Sequence, residues 1–130
     1  MSDYPVTVLI AVQSGALREG LRSLLETLSQ VTVVGEVIEQ GAVAHTVAGQ
    51  RPGLVLLDGN LWSEAWWLLL GDVRARFPHT RWVILAETEL QRQRASNAGV
   101  DAAILQGLPP PQLLLFLQQL LGIATDHTAL

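Results

Sequence analysis

Short apolar runs alternate along this chain with segments whose apolar residues recur at helical spacing. The runs are rich in Val, Ile and Leu and cover residues 6–12, 31–37, 54–57, 82–86 and 102–105. Continuous runs of this kind are typical of strands buried on both faces of a sheet. The alternation predicts an α/β fold, with a doubly wound, five-stranded parallel sheet and five helices. Because parallel crossovers are right-handed and the connections here are short, we expect the flavodoxin-like strand order 2-1-3-4-5.

The helices are predicted from apolar spacing and from residues that begin or end them. The first helix has one apolar face, formed by Leu17, Leu21, Leu24, Leu25 and Leu28. The third has Ser63 as a candidate cap and an expected core face of Trp66, Leu69, Leu70, Val73 and Phe77. The second is expected at 41–49, the fourth at 89–98, and the fifth runs from the prolines at 109–111 to Leu121. Residues 1–121 are thus predicted to form one domain, and 122–130 a polar C-terminal tail or linker stub.

Composition excludes several classes of function. The chain has no cysteine, so disulfides, thiolate metal sites and a cysteine nucleophile are excluded. The formal net charge is −4 and no basic stripe is present, so this domain is not expected to bind nucleic acid. His45, His79 and His127 lack the spacing of metal ligands. With no apolar stretch long enough to span a membrane and no basic leader, no membrane association and a cytoplasmic location are expected.

In doubly wound sheets the functional site lies beyond the carboxyl ends of the strands. The residues predicted at this edge follow four of the strands and are Val12, Gln13, Asp58, Ala86, Glu87 and Gln106. These strand-end residues are therefore the expected functional site of the chain.

Several segments carry a family resemblance. They are Arg18-Glu19-Gly20-Leu21-Arg22-Ser23-Leu24-Leu25-Glu26, Val33-Val34-Gly35-Glu36, Pro52-Gly53-Leu54-Val55-Leu56-Leu57-Asp58 and Ala98-Gly99-Val100-Asp101-Ala102, followed by the proline-led last helix. Together they resemble the receiver (CheY-like) domains of bacterial response regulators, especially those of the LuxR/NarL type. The resemblance covers roughly residues 6 to 121 and implies the same flavodoxin-like fold.

The resemblance places Asp58 at the phosphoacceptor position, and this chain departs from the family at the supporting positions. The acidic pair that holds magnesium falls on Val12 and Gln13, and the hydroxyl position is Ala86. The lysine position is Gln106, the aromatic switch position is Ala103, and the usual Met-Pro is Leu61-Trp62. Glu87 stands where receivers commonly have a small residue. No shift of the alignment restores the lysine, because the sequence contains none.

These departures act together on one reaction. Phosphoryl transfer is catalysed mainly by positioning and by neutralising charge with a metal and a cation. We therefore expect no cofactor, lost or weak magnesium binding, and absent or inefficient phosphorylation of Asp58. Three interpretations of Asp58 stay open: a tolerated polar residue, a carboxylate that accepts amide hydrogen bonds from Gln13 and Gln106, or a partner of Glu87 around a cation.

Partner contacts are predicted from exposed apolar residues. On a helical wheel Trp67 and Leu68 lie away from the expected core face, Trp62 precedes that helix, and Leu115 lies outside the broad stripe of the last helix. Tryptophan is favoured in interface anchors, although Trp62 or Trp67 could instead fold over the sheet edge. The resemblance suggests a homodimer through helix 4, strand 5 and helix 5; the alternative is a more deeply buried last helix.

The resulting prediction is a degenerate receiver, which acts as a phosphorylation-independent protein-interaction or dimerisation module and is not an enzyme. One alternative is a conventional receiver that accepts a phosphoryl group on Asp58. The other is a small flavodoxin-like cofactor-binding protein. Gln13-Ser14-Gly15 is too short and too poor in glycine to favour the phosphate cradle that this second alternative requires.

Overall fold

The computed structural model describes residues 5–59 and 64–123, apart from the side chains of 64–66, and contains the predicted sheet. All strand pairs are parallel, and the order is β2-β1-β3-β4-β5. The strands are β1 (Val6–Ala11), β2 (Val31–Val37), β3 (Leu54–Asp58), β4 (Arg81–Ala86) and β5 (Ala102–Leu105). The α/β, flavodoxin-like fold class and the strand order are therefore confirmed.

The described residues form five α-helices that connect or follow these strands. They are α1 (Gly15–Leu25), α2 (Val43–Gln50), α3 (Glu64–Arg76), α4 (Glu89–Asn97) and α5 (Pro110–Leu121). Ser14 and Thr88 cap α1 and α4, since each side-chain oxygen accepts a hydrogen bond from a backbone N–H of the first turn. Ser63, the predicted cap of α3, lies outside the described residues. None of the helices among the described residues is long and apolar enough to cross a membrane.

Two apolar layers cover the faces of the sheet. Alternate strand residues enter each layer because side chains point to opposite faces along a strand. One layer joins Leu9, Val55, Leu57 and Ile84 to α2, α3 and α4, through residues such as Val47, Leu70, Val73 and Ala95. The other joins Val8, Ile10, Leu54, Leu56 and Val83 to α1 and α5, through residues such as Leu21, Leu25 and Leu117. The layers hold the carboxyl ends of β1, β3, β4 and β5 at one edge.

The orientation of α3 corrects part of the predicted interface. Trp67 is half-buried against the α2/α3/α4 layer, and the Arg94 guanidinium lies 5.5 Å from the centre of its ring. Leu69, expected in the core, is 45% exposed. Leu70, Val73 and Phe77 lie in or against the layer as predicted, and Trp67 joins them in place of Leu69. Trp67 is therefore wrong as an exposed anchor.

Two other candidate interface residues are exposed as predicted. Leu68 on α3 is 81% exposed and Leu115 on α5 is 45% exposed. Trp62 lies outside the described residues, so its predicted role stays a prediction. The large apolar residues exposed in the described part of the chain are Ile38, just after β2, and leucines of α3, α4, β5 and α5.

Candidate functional site

Asp58 is the last residue of β3 and lies at the carboxyl edge of the sheet. The side chain is buried, with 5% of the residue exposed. The backbone N–H of Gly59 donates to Leu85 O at 2.9 Å, so β3 and β4 stay paired beyond Asp58. A Cβ at Gly59 would lie 2.9 Å from Ile84 Cγ2, a distance that real Cβ atoms essentially never show. Glycine therefore allows the close approach that fixes the backbone next to the carboxylate.

The β1 side of this edge is apolar and is closed by an arginine. Val12 is fully buried in the α1/α5 layer, whereas Gln13 is exposed. Arg18 Nη1 from α1 donates to Val12 O and to Gln13 O, each at 3.0 Å. The same guanidinium pairs through Nε with Glu36 Oε1, near the end of β2, also at 3.0 Å. One cationic side chain therefore ties the carboxyl ends of β1 and β2 together; we call it the Arg18 clamp.

A second arginine extends the Arg18 clamp along α1. Arg22 donates to the Glu36 carboxylate and pairs with Glu26 at 3.2 Å. Hydrogen bonding to Glu36 raises the pKa of the Arg22 guanidinium above its ordinary value. Glu36 is thus shared by two arginines, and the β2 end of the edge carries its own compensated charges.

The β4 side offers no hydroxyl at the position where the resemblance places one. Ala86 is fully buried. Glu87 is exposed, and its backbone N–H donates to Gln91 Oε1 at 2.8 Å. Across residues 5–59 and 64–123 no group of three or more His, Asp or Glu side chains could hold a metal ion.

The β5 side is occupied by Gln106, whose amide binds backbone. Gln106 Nε2 donates to Leu85 O at 3.1 Å, the same carbonyl that accepts from Gly59 N. Its backbone N–H donates to Ala86 O at 2.7 Å, which continues the β4–β5 pairing. The bond from Nε2 uses one of the two N–H groups of the Gln106 amide. Ala103, at the aromatic position, is half-buried against the α2/α3/α4 layer.

Several known proteins are similar to this chain in sequence or in fold. No family model matches the chain. The nitrate/nitrite response regulator NarL of Escherichia coli K12 is 26% identical over 120 residues, which are 91% of this chain and 56% of NarL. The signal receiver domain of the NarL response regulator of Mycobacterium tuberculosis superposes with a TM-score of 0.78 at 20% identity and covers 92% of this chain and 98% of that one. This chain has the fold of response-regulator receiver domains.

Other solved receivers share the fold. A LuxR-family response regulator from Aurantimonas superposes with a TM-score of 0.79 at 18% identity, covering 96% of this chain and 93% of that one. The isolated receiver domain of RcsB from Salmonella enterica, solved with the phosphomimetic BeF3⁻, gives a TM-score of 0.75 at 20% identity, covering 88% and 89% of the two chains. The chain spans about half the length, 56%, of the curated relatives it matches.

The carboxyl edge of the sheet presents few groups able to bind an anion. Asp58 supplies a carboxylate, while the neighbouring strand ends supply a buried valine, a buried alanine and a glutamine bound to backbone. A divalent cation prefers carboxylate oxygens, and Asp58 is the one buried carboxylate at this edge among the described residues.

Sequence reasoning missed the Arg18 clamp. Both partners stand in the segments that carry the family resemblance, but nothing in their spacing shows that a residue of α1 reaches the ends of β1 and β2. The one available signal was a cation in the first turn of a helix, where the helix dipole disfavours positive charge. Such a residue needs compensation, and Glu36 with the two carbonyls supplies it.

Proposed function

We propose that this receiver domain signals without phosphorylation of Asp58, through contacts with a protein partner or a second copy of itself, and has no enzymatic activity of its own. The observation that carries the proposal is at the lysine position. Gln106 occupies this position, and its neutral amide donates a hydrogen bond to Leu85 O. A transferred phosphoryl group would meet no cation there.

The lysine position matters because of the charge that phosphorylation would add. A phosphorylated aspartate concentrates negative charge at a buried site, and in a low-dielectric environment that charge requires a metal or a cationic partner. The Arg18 guanidinium, the described cation nearest to the end of β1, is engaged by two carbonyls and Glu36. Magnesium binding is accordingly proposed to be weak, since Val12 and Gln13 replace the paired carboxylates.

The test is direct phosphorylation by a small donor. The full chain is incubated with acetyl phosphate and Mg²⁺ and measured by intact-protein mass spectrometry, with Asp58→Asn as the matched control. We expect no Asp58-dependent gain of a phosphoryl group. A gain that Asp58→Asn removes would instead establish the conventional phosphoaccepting receiver.

A positive control comes from restoring the missing groups. The triple variant Gln13→Asp, Ala86→Thr, Gln106→Lys returns a metal ligand, a hydroxyl and a cation while leaving the buried Val12 in place. We expect this variant to gain a phosphoryl group where the parent does not. If both proteins stay unmodified while a conventional receiver in the same assay reacts, other features of the edge also oppose the reaction.

The surface proposed for self-association surrounds the edge strand β5. The exposed leucines on the flanking elements are Leu90 of α4, Leu105 of β5 and Leu115 of α5, with 77%, 41% and 45% exposure. The resemblance to receivers favours this α4–β5–α5 face, and α5 presents no ionisable side chain that would oppose contact with a like surface. No nucleic-acid contact is proposed for this domain. The RcsB structure bound to promoter DNA belongs to a chain of which this domain matches 61%.

Sedimentation velocity over a concentration series tests this surface. Leu115→Glu is expected to abolish any dimer, because a carboxylate buried in an apolar interface lacks a partner. Leu68→Glu on α3 is the matched control and is expected to leave the dimer intact. A monomeric parent would exclude the homodimer and leave a protein partner, whereas equal effects of the two variants would contradict the α4–β5–α5 face.

A further inference from the structure

A groove of about 460 Å³ lies between α1 and α5, next to the carboxyl edge of the sheet. The buried side chains of Leu21 and Leu85 lie deepest in it, and the exposed residues Ala16, Gly20, Ser23 and Gly107 lie at its mouth. Its volume falls in the range of about 300–1,000 Å³ that is typical of small-molecule sites.

The lining of the groove indicates the chemistry of its ligand. None of the fourteen lining residues is ionisable, and most are Leu, Ile, Ala, Gly or Pro. The β5–α5 wall belongs to a longer uncharged segment, since residues 102–125 contain no ionisable side chain. Ser23 and Gln106 are the polar side chains of the lining. A charged ligand would lose hydration there without gaining a partner, whereas a neutral apolar molecule would lose little.

Gly20 of α1 borders the open space of the groove. A Cβ at Gly20 would meet nothing within 4 Å. Glycine inside a helix costs about 0.5–1 kcal/mol relative to alanine, and no backbone contact requires it at this position. We infer that the groove between α1 and α5 binds a neutral, apolar small molecule.

The position of the groove connects this ligand with the altered switch. Gln106 lines the groove and donates to Leu85 O, the carbonyl that also holds Gly59 next to Asp58. A molecule in the groove therefore contacts the residue that replaces the lysine of conventional receivers. The idea that this ligand is the input signal rests on the proposed function. The binding of a ligand in the groove does not depend on the proposed function.

The test uses N-phenyl-1-naphthylamine, a neutral apolar dye whose fluorescence rises in apolar surroundings. Titration of the full chain is expected to give saturable binding of one dye per chain. Gly20→Phe places a ring in the open space and is expected to weaken binding at least tenfold. Gly71→Phe is the matched control, because Gly71 is an exposed helical glycine of α3 that is also free of Cβ contacts within 4 Å and lies outside the groove.

A second pair of variants keeps the test decisive if Gly20→Phe fails to fold. Ser23→Arg adds a charge at the mouth and is expected to weaken binding, whereas Ser96→Arg on exposed α4 is not. Absence of saturable binding, or equal weakening in a variant and its control, overturns the inference. Loss of self-association in Gly20→Phe without dye binding by the parent would instead make the groove an interface between copies.

The phosphorylation assay separates the two proposals. Dye binding together with Asp58-dependent phosphorylation would refute the proposed function and leave the groove as a ligand site. No dye binding together with no phosphorylation would leave the proposed function and refute the groove.

Discussion

The Arg18 clamp is expected to be a main polar support of the sheet edge, and Arg18→Met tests this directly. Methionine keeps an unbranched apolar stem of similar reach and helix propensity, so the change removes the guanidinium with little loss of packing. The variant leaves Val12 O, Gln13 O and the Glu36 carboxylate without their shared donor. Arg22 remains on Glu36, so that carboxylate keeps one cationic partner.

The magnitude follows from how each acceptor is exposed. The bond to Val12 O is partly buried, and an unsatisfied buried acceptor costs about 1–3 kcal/mol. The bond to Gln13 O is exposed, so water replaces most of it. The Arg18 and Glu36 side chains are 23% and 27% exposed, and such pairs contribute at most about 1 kcal/mol. We therefore expect a loss of about 2–3 kcal/mol, equivalent to a fall in Tm of about 7–11 °C for a domain of this size.

Chemical denaturation with a two-state fit, together with thermal unfolding, measures this loss. Arg22→Met is the matched control, since Arg22 shares the helix and the Glu36 partner but donates to no strand-end carbonyl among its described bonds. Its effect is expected to be clearly smaller. An Arg18→Met variant as stable as the parent, or an equal loss in the two variants, would refute the argument that the carbonyls of β1 depend on this guanidinium.

Two further predictions concern helix ends. Arg51 follows α2 with φ 46°, a left-handed conformation that non-glycine residues disfavour. Arg51→Gly is therefore expected to raise the free energy of unfolding by about 0.5–1 kcal/mol in the same denaturation assay. A lower free energy of unfolding would contradict this. Hydrogen bonding by Arg92 lowers the pKa of the Glu89 carboxyl below its ordinary value of 4.5. The pair therefore stabilises α4 above about pH 4.5 and loses this contribution as pH falls through the lowered pKa. Thermal unfolding between about pH 3 and pH 6 should show a shallower acid dependence in Glu89→Gln, and parallel curves would contradict the pair's role.

The sheet could be predicted from the sequence because the composition of each strand indicates that both of its faces are buried. Runs such as 54–57 are apolar at every position, and two covered faces are the simplest environment for them. The phase of α3 could not be predicted in this way. Its segment has apolar residues on most sides, and in the structure Trp67, Leu70 and Val73 join the α2/α3/α4 layer while Leu69 is exposed. An apolar pattern that is nearly uniform around a helix carries little directional information.

The same distinction applies to the site. The positions of Val12, Ala86 and Gln106 at the edge could be predicted because they follow strands whose ends must meet there. Their interpretation as lost functional groups comes from the resemblance to receivers. Where the remaining polar groups bind could not be predicted, since that depends on side-chain reach in three dimensions. The Gln106 amide donates to Leu85 O, a backbone contact that its spacing does not indicate, and Arg18 was not expected at the edge at all.

The burial of Val12 makes an aspartate at this position costly. Val12 is fully buried and packs in the α1/α5 layer, and Ala86 is fully buried at the end of β4. An aspartate at position 12 would place a carboxylate among leucines, at a cost of several kcal/mol unless a cation neutralised it. The Arg18 guanidinium is already held by two carbonyls and Glu36, so it would have to leave them to do so. Val12 is therefore compatible with the arrangement in which Arg18 binds backbone, whereas an aspartate at this position would compete with the carbonyls for the guanidinium.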